Sequence, residues 1–290
     1  MRCRLPRHLI LARLSSAVAP GSTCTATARA DDDSEESGSR KPTDGWDITV
    51  GAGTASLPKY PGSDEQKTRA LPVVAIRYGR FFLGGSGSGS AGNPGSGLGM
   101  YLYEDDRWRV GAMLSAGAFK ARKESDDRRL RGLGDIDGTT RAGAFASYTL
   151  GWLSADLSVS SDVGDNRQGT VAKLGLDANW PLSKRLMLSA GPEVTWANGE
   201  YTQTFFGIDA QQSMRSGRPQ YRAGGGINSV GFAIHARYRF DDHWGAGAFV
   251  STSRLQGDAK DSPITQDKIH NAFGLFASYR FQDCRADETS

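Results

Sequence analysis

Residues 230–240 read VGFAIHARYRF, and their alternation decides the fold. Val230, Phe232, Ile234, Ala236, Tyr238 and Phe240 fall on one side of an extended chain, and Gly231, Ala233, His235, Arg237 and Arg239 on the other. Successive strand side chains project to opposite faces, so one face is apolar and aromatic while the other carries three basic groups. A soluble sandwich also uses such a strand, with its greasy face inside and its polar face wet. Many such strands, joined by alternately short and long connections, point instead to a transmembrane β-barrel with lipid outside and a polar lumen inside.

The pattern recurs on both sides of that stretch. Trp46, Ile48, Val50 and Ala52 alternate with Asp47, Thr49, Gly51 and Gly53 in a strand near 46–55, and further strands fall near 70–78, 81–85 and 97–103. In the fifth, Trp108, Val110, Ala112 and Leu114 oppose Arg109, Gly111, Met113 and Ser115. The sixth lies near 136–150 and the seventh near 152–161, where Leu153, Ala155, Leu157 and Val159 oppose Ser154, Asp156, Ser158 and Ser160. The eighth sets Ala172, Leu174, Leu176, Ala178 and Trp180 against Lys173, Gly175, Asp177 and Asn179. The ninth carries Leu186, Leu188, Ala190, Val194 and Trp196; after the tenth at 230–240 come an eleventh at 244–253 and a last strand with Phe273, Leu275, Ala277, Tyr279 and Phe281 on one face. Twelve is an even number, as bacterial outer-membrane barrels require. Tight turns follow the even strands and long loops the odd ones, which puts the turns in the periplasm and the loops outside. Trp108, Trp152, Trp180, Trp244, Tyr238 and Phe240 gather at the tight-turn ends, as an interfacial girdle would.

Bulk properties narrow the alternatives. The 290 residues include 37 glycines, and no run approaches the roughly 18 apolar residues of a membrane helix, which excludes a helical membrane protein but not a barrel. The net charge of +3, from 35 basic and 32 acidic residues, is too balanced to indicate nucleic acid. Cys3, Cys24 and Cys284 lie outside the expected barrel and have no zinc-type spacing. The expected organisation is an export leader at 1–30, with a basic start and an apolar centre, then an acidic, Ser-rich spacer at 31–44. The barrel follows at 45–281 and a tail at 282–290.

No catalytic, cofactor or metal site is expected, and the chain reads as a non-enzyme. Of four histidines, His235 faces the expected lumen beside Arg237 and Arg239, with no acid partner to orient it as a base. The Gly-x-Ser-x-Gly match at 85–89 lies in a low-complexity Gly/Ser tract and lacks the strand-to-helix context of a nucleophile elbow. Asp135–Gly138 and Asp241–Asp242 read as turns and lack calcium-loop spacing. The candidate lumen-lining residues are Lys173, Asp177, His235, Arg237 and Arg239. The long loop 198–224 holds a candidate recognition set, Tyr201, Phe205, Phe206, Arg215, Arg218 and Tyr221, whose aromatic and arginine mix suits a binding surface. The competing reading is a plug folded into the lumen.

Several segments carry a resemblance. GAGTASLPKYPGSDEQ (51–66), LPVVAIRYGRFFLGG (71–85), EDDRWRVGAML (104–114), RLRGLGDIDGTTRAG (129–143), GDNRQGT (164–170), the stretch 191–221 and GDAKDSPIT (257–265) resemble the MipA/OmpV family over roughly 46–281. The resemblance implies a Gram-negative outer-membrane barrel in contact with outer-membrane lipid. It also implies a possible scaffold role joining a murein lytic transglycosylase to a peptidoglycan synthase, with a small-solute pore or an adhesin as alternatives. Residues 282–290 extend past the final aromatic Phe281, and the Gly/Ser tract at 86–96 looks like an insertion; both depart from the family pattern.

Overall fold

Alternating strands cannot end in lipid with a bare edge, because the bilayer core offers no partner for an unpaired N–H or C=O. The computed structural model, which describes residues 45–84, 97–116 and 122–282, meets that demand with a closed barrel of twelve antiparallel strands. They are β1 (Trp46–Pro58), β2 (Gln66–Tyr78), β3 (Phe81–Gly84), β4 (Gly97–Glu104), β5 (Trp108–Ala116), β6 (Thr140–Leu150), β7 (Leu153–Asp162), β8 (Thr170–Pro181), β9 (Leu186–Ala197), β10 (Gly226–Arg239), β11 (Trp244–Leu255) and β12 (Ile269–Gln282). Each strand pairs with its neighbours in sequence, and β1 pairs with β12 from Asp47↔Gln282 to Ser56↔Phe273 to close the ring. Three short helices, α1 (Gly199–Phe206), α2 (Ala210–Ser216) and α3 (Gly257–Asp261), sit in the long loops. No described helix is long and apolar enough to cross a membrane. The leader at 1–30, the spacer at 31–44, the tract at 86–96 and the tail beyond Gln282 lie outside the described residues.

The outer wall is apolar. Val74, Leu98, Leu114, Leu157, Leu174, Phe232, Ile234, Val250, Phe273 and Leu275 are all exposed. In water such a continuous patch would aggregate; against lipid tails it is the matched surface. At the short-turn end, rings pair along the wall: Trp46 with Tyr78 at 4.8 Å, Trp108 with Tyr148 at 4.6 Å, and Trp244 with Tyr279 at 5.1 Å between centroids. Amphipathic rings favour the headgroup level, so this band marks one membrane interface.

Three of the tight turns share one device. Asp105 Oδ1 accepts from the backbone N–H of Arg107 and Trp108, and Asp241 Oδ1 from His243 and Trp244. Ser183 Oγ accepts from Arg185 and Leu186. A short side chain that satisfies the two following amides replaces strand pairing where the chain reverses.

Inside, bulky rings lie over glycines of the neighbouring strand. Phe82 is opposite Gly99, Phe145 opposite Gly111, Phe276 opposite Gly247 and Phe249 opposite Gly274. A Cβ on Gly247 would come within 2.4 Å of the Phe276 ring, and one on Gly274 within 2.5 Å of Phe249. The glycines therefore make room for the rings that fill this part of the lumen.

Strict alternation fails in two described places, between Ile227 and Ser229 in β10 and in β4. Between Tyr101 and Tyr103 the β4–β5 register shifts, so that Leu102 and Tyr103 both face outward and Glu104 turns inward. There Glu104 accepts from Arg77 Nη2 at 2.6 Å, and the bulge exists in effect to make that pair possible. The sixth strand also begins at Thr140 rather than near 136, because Ile136 is buried among loop residues and its backbone pairs with Arg122.

The Gly247→Ala variant is expected to lose about 1–3 kcal/mol of stability through overpacking against Phe276. Gly175→Ala, whose added Cβ would meet no atom within 4 Å, should be neutral. Denaturant midpoints of the detergent-folded barrel, read by heat-modifiable gel migration, separate the two.

Candidate functional site: the lumen wall and its loop cap

The five lumen candidates all lie on the face opposite the lipid-exposed one. His235 stands in register with Ser189 on β9 and Phe249 on β11, is 5% exposed, and has no hydrogen-bond partner on either ring nitrogen among the described residues. Its ring lies 6.4 Å from that of Phe249. Asp177 is 7% exposed, Lys173 is half-buried, and Arg237 is exposed on this inner side, so water reaches the lumen at its level. Arg239, near the short turn, donates from Nη2 to the carbonyl of Lys184 at 3.1 Å.

Charges on the lumen wall divide into two groups. On the side formed by β12, β1, β2 and β4 two ion pairs neutralise their charges. Arg280 grips Asp47 with two bonds of 2.5 and 2.9 Å, and Arg77 pairs with Glu104 while its guanidinium lies 4.9 Å over the Tyr101 ring. These residues escape a reading of the sequence because the partners are as much as 233 positions apart; only their inward parity gave a signal. On the side formed by β5, β8, β9 and β10, the side chains of Arg109, Asp177, Glu193 and Arg237 make no hydrogen bond and no ion pair among the described residues. Arg109 and Glu193 were legible as inward positions but not as unpaired ones.

At the other end of the barrel the long loops fold into a cap. Asn198 starts α1 by accepting from Tyr201 N–H and also accepts from Thr170 N–H, which fixes the helix to the rim of β8. Asp209 and Gln212 form a reciprocal cap on α2, and Gly217 ends it in the left-handed region at φ 71°. Two apolar clusters fill the cap: Tyr60, Leu130, Leu133, Ile208 and Ile264 in one, and Ile136, Phe205, Phe206, Leu255 and Ala259 in the other. Arginines lock the loops together. Arg218 donates to the carbonyls of Pro263 at 2.8 Å and Arg129 at 3.1 Å, Arg129 pairs with Asp64 at 2.6 Å, and buried Arg122 donates to the carbonyl of Phe205 at 3.1 Å. Burial pushes the Arg122 guanidinium down to about 10 without discharging it at neutral pH. Thr204 also bonds the carbonyl of Arg167, so each long connection among the described residues joins the cap.

This packing assigns most of the candidate recognition set to the cap interior. Phe205 and Phe206 are buried, Tyr201 stacks on Phe205 at 4.5 Å, Tyr221 donates to the carbonyl of Asp258, and Arg218 is the tie just described. Arg215 alone of the six is exposed, next to Met214 at 79% exposure. A cleft of about 650 Å³ opens between α1 and residues 220–224, where Gln203 bonds Tyr221 and Ala223, Asp209 caps α2, and Gln220 and Arg222 are exposed.

The family model described as MltA-interacting protein MipA matches residues 50–281, the whole barrel. The chain belongs to this family. It is 26% identical over 240 residues to the MltA-interacting protein of Escherichia coli K12, which covers 81% of this chain and 90% of that protein. It is 24% identical over 237 residues to the protein named "Putative outer membrane protein YiaT" of the same strain, covering 81% and 91%. The solved structure of OmpT of Vibrio cholerae, at 10% identity and a TM-score of 0.38, covers 82% of this chain and 97% of its own. With family, apolar wall and closed topology together, the protein is an outer-membrane β-barrel.

Replacing Arg218 by Ala removes ties from one loop to two others and should weaken the cap by about 2 kcal/mol. Amide exchange at Leu130 and Leu133 would then rise roughly 30-fold while strand amides stay protected. A second expectation concerns acid. The hydrogen bond from Arg129, with its charge, holds the Asp64 carboxyl below its usual range. The tie is therefore fully present above about pH 4 and is lost as pH falls below it. Exchange at Ser63 and Glu65 should be flat from pH 8 to 5, after correction for intrinsic rates, and should rise below pH 4.

Proposed function

We propose that this barrel is a non-enzymatic scaffold of the outer membrane, and that its partner is a murein lytic transglycosylase. The observation that carries the reading is the match along the full barrel to a relative whose name records an interaction with MltA. The disposition of the loops supports it. The long loops satisfy one another in the cap, whereas the short-turn rim faces the periplasm, where murein is processed. On that rim Arg107, Lys184 and Arg185 are exposed, and the turns that carry them are held by Asp105 and Ser183. Their side chains are thus available to a partner without being needed for the fold. A peptidoglycan synthase would join as the second partner of the same assembly.

Purified full-length barrel immobilised in detergent should retain a purified murein lytic transglycosylase. The combined variant Arg107→Glu, Lys184→Glu, Arg185→Glu should bind it at least about tenfold more weakly, since rim charges govern encounter and orientation. Absence of retention by the unaltered barrel would contradict the proposal.

A further inference from the structure

The unneutralised side of the lumen has a specific charge arrangement. Arg109 on β5, Ser147 on β6, Asp156 on β7, Gly175 on β8 and Glu193 on β9 are successive register partners, a single row across five strands. Asp177 and Lys173 lie two residues to either side of Gly175 on the same inward face. Arg237 on β10 and Arg109 on β5 face the same lumen from strands five apart in the twelve-strand ring.

Three features make this a place for a ligand rather than a self-satisfied network. Asp177, Glu193, Arg109 and Arg237 have no ion-pair partner among the described residues, whereas Arg77–Glu104 and Arg280–Asp47 elsewhere on the lumen wall are paired at 2.5–2.6 Å. Gly175, at the centre of the acidic arc, faces empty space: a Cβ there would touch nothing within 4 Å. The inward-facing His235 is nineteen-twentieths buried with both ring nitrogens uncommitted. Unpaired charges of both signs lining a confined lumen favour the ligand whose charges complement them. A simple anion meets the acidic arc, and a simple cation meets the two arginines. No described group of three or more His, Cys, Asp or Glu residues is placed to hold a metal ion.

We propose that this band of the lumen binds a small zwitterion, an amino acid or short peptide. Its ammonium group sits against Asp177 and Glu193, and its carboxylate sits against Arg237 and Arg109. The open space over Gly175 receives the intervening atoms. Entry is from the short-turn end, where Arg237 and Arg239 are wetted, since the other end carries the cap.

The test is calorimetric titration of the full chain in detergent at pH 7 with alanyl-alanine, using acetate and methylammonium as single-charge probes. Saturable binding of the dipeptide is expected, with each single-charge ion at least roughly tenfold weaker. Asp177→Asn and Arg237→Gln should each weaken the dipeptide by a similar factor, Gly175→Leu should abolish binding by filling the space, and Gly175→Ala should keep it. Heat-modifiable migration verifies each variant's fold; should a charge variant misfold, Glu193→Gln or Arg109→Gln replaces it. No saturable binding, equal binding of the single-charge ions, or undiminished binding by folded Gly175→Leu would overturn the proposal.

Discussion

Closure of β12 onto β1 is the constraint from which the rest of the structure follows. In a hydrocarbon solvent each unpaired backbone group on a strand edge costs several kcal/mol, so a sheet that crosses lipid has to leave no edge. The first and last strands meet over ten register pairs, and Asp47 and Arg280 tie the two ends of the chain with a bidentate ion pair on the lumen side. Closure then imposes an inside and an outside. Every strand must send one parity of side chains to lipid and the other to a confined polar space, and the described strands obey that division apart from register shifts at Tyr101/Tyr103 and Ile227/Ser229.

Because parity follows from local sequence, the wall was legible before any coordinates. The alternation at 230–240 predicted which side chains would be exposed, and Phe232, Ile234 and Tyr238 are exposed while Ala233 and His235 are buried. Strand number and turn alternation followed in the same way, since tight turns carry their own chemistry in Asp105, Ser183 and Asp241. What stayed hidden was long-range. The bulge in β4 exists because Glu104 finds Arg77 across a neighbouring hairpin, and nothing in YLYED announces that partner. Ile136 extends an apolar pattern into what reads as strand, yet it packs in the cap with Phe205 and Phe206. The loop aromatics had the composition of a recognition surface, but a ring that packs a loop and a ring that binds a partner look alike in sequence. Burial distinguishes them.

The same reasoning applies to the lumen. Inward parity identified Lys173, Asp177, His235, Arg237 and Arg239, but parity is silent on which inward charges meet. The register shows Arg77–Glu104 and Arg280–Asp47 paired in place, while Arg109, Asp177, Glu193 and Arg237 face the lumen with no ion pair among the described residues. The cap adds a small folded layer of apolar clusters stitched by arginine-to-carbonyl bonds, which turns loops that would otherwise be floppy into a fixed lid.

The central claim, that one parity faces lipid and the other a polar interior, is tested most directly by spin-label scanning of residues 230–240 in liposomes. Single cysteines, introduced in a background with Cys3, Cys24 and Cys284 replaced by Ser, carry the label one position at a time. Collision with dissolved oxygen, which concentrates in lipid, should peak at 230, 232, 234, 236 and 238 and fall at the positions between, a period of two through the span. Uniform oxygen accessibility, a helical period, or peaks at 231, 233, 235 and 237 would contradict the barrel described here.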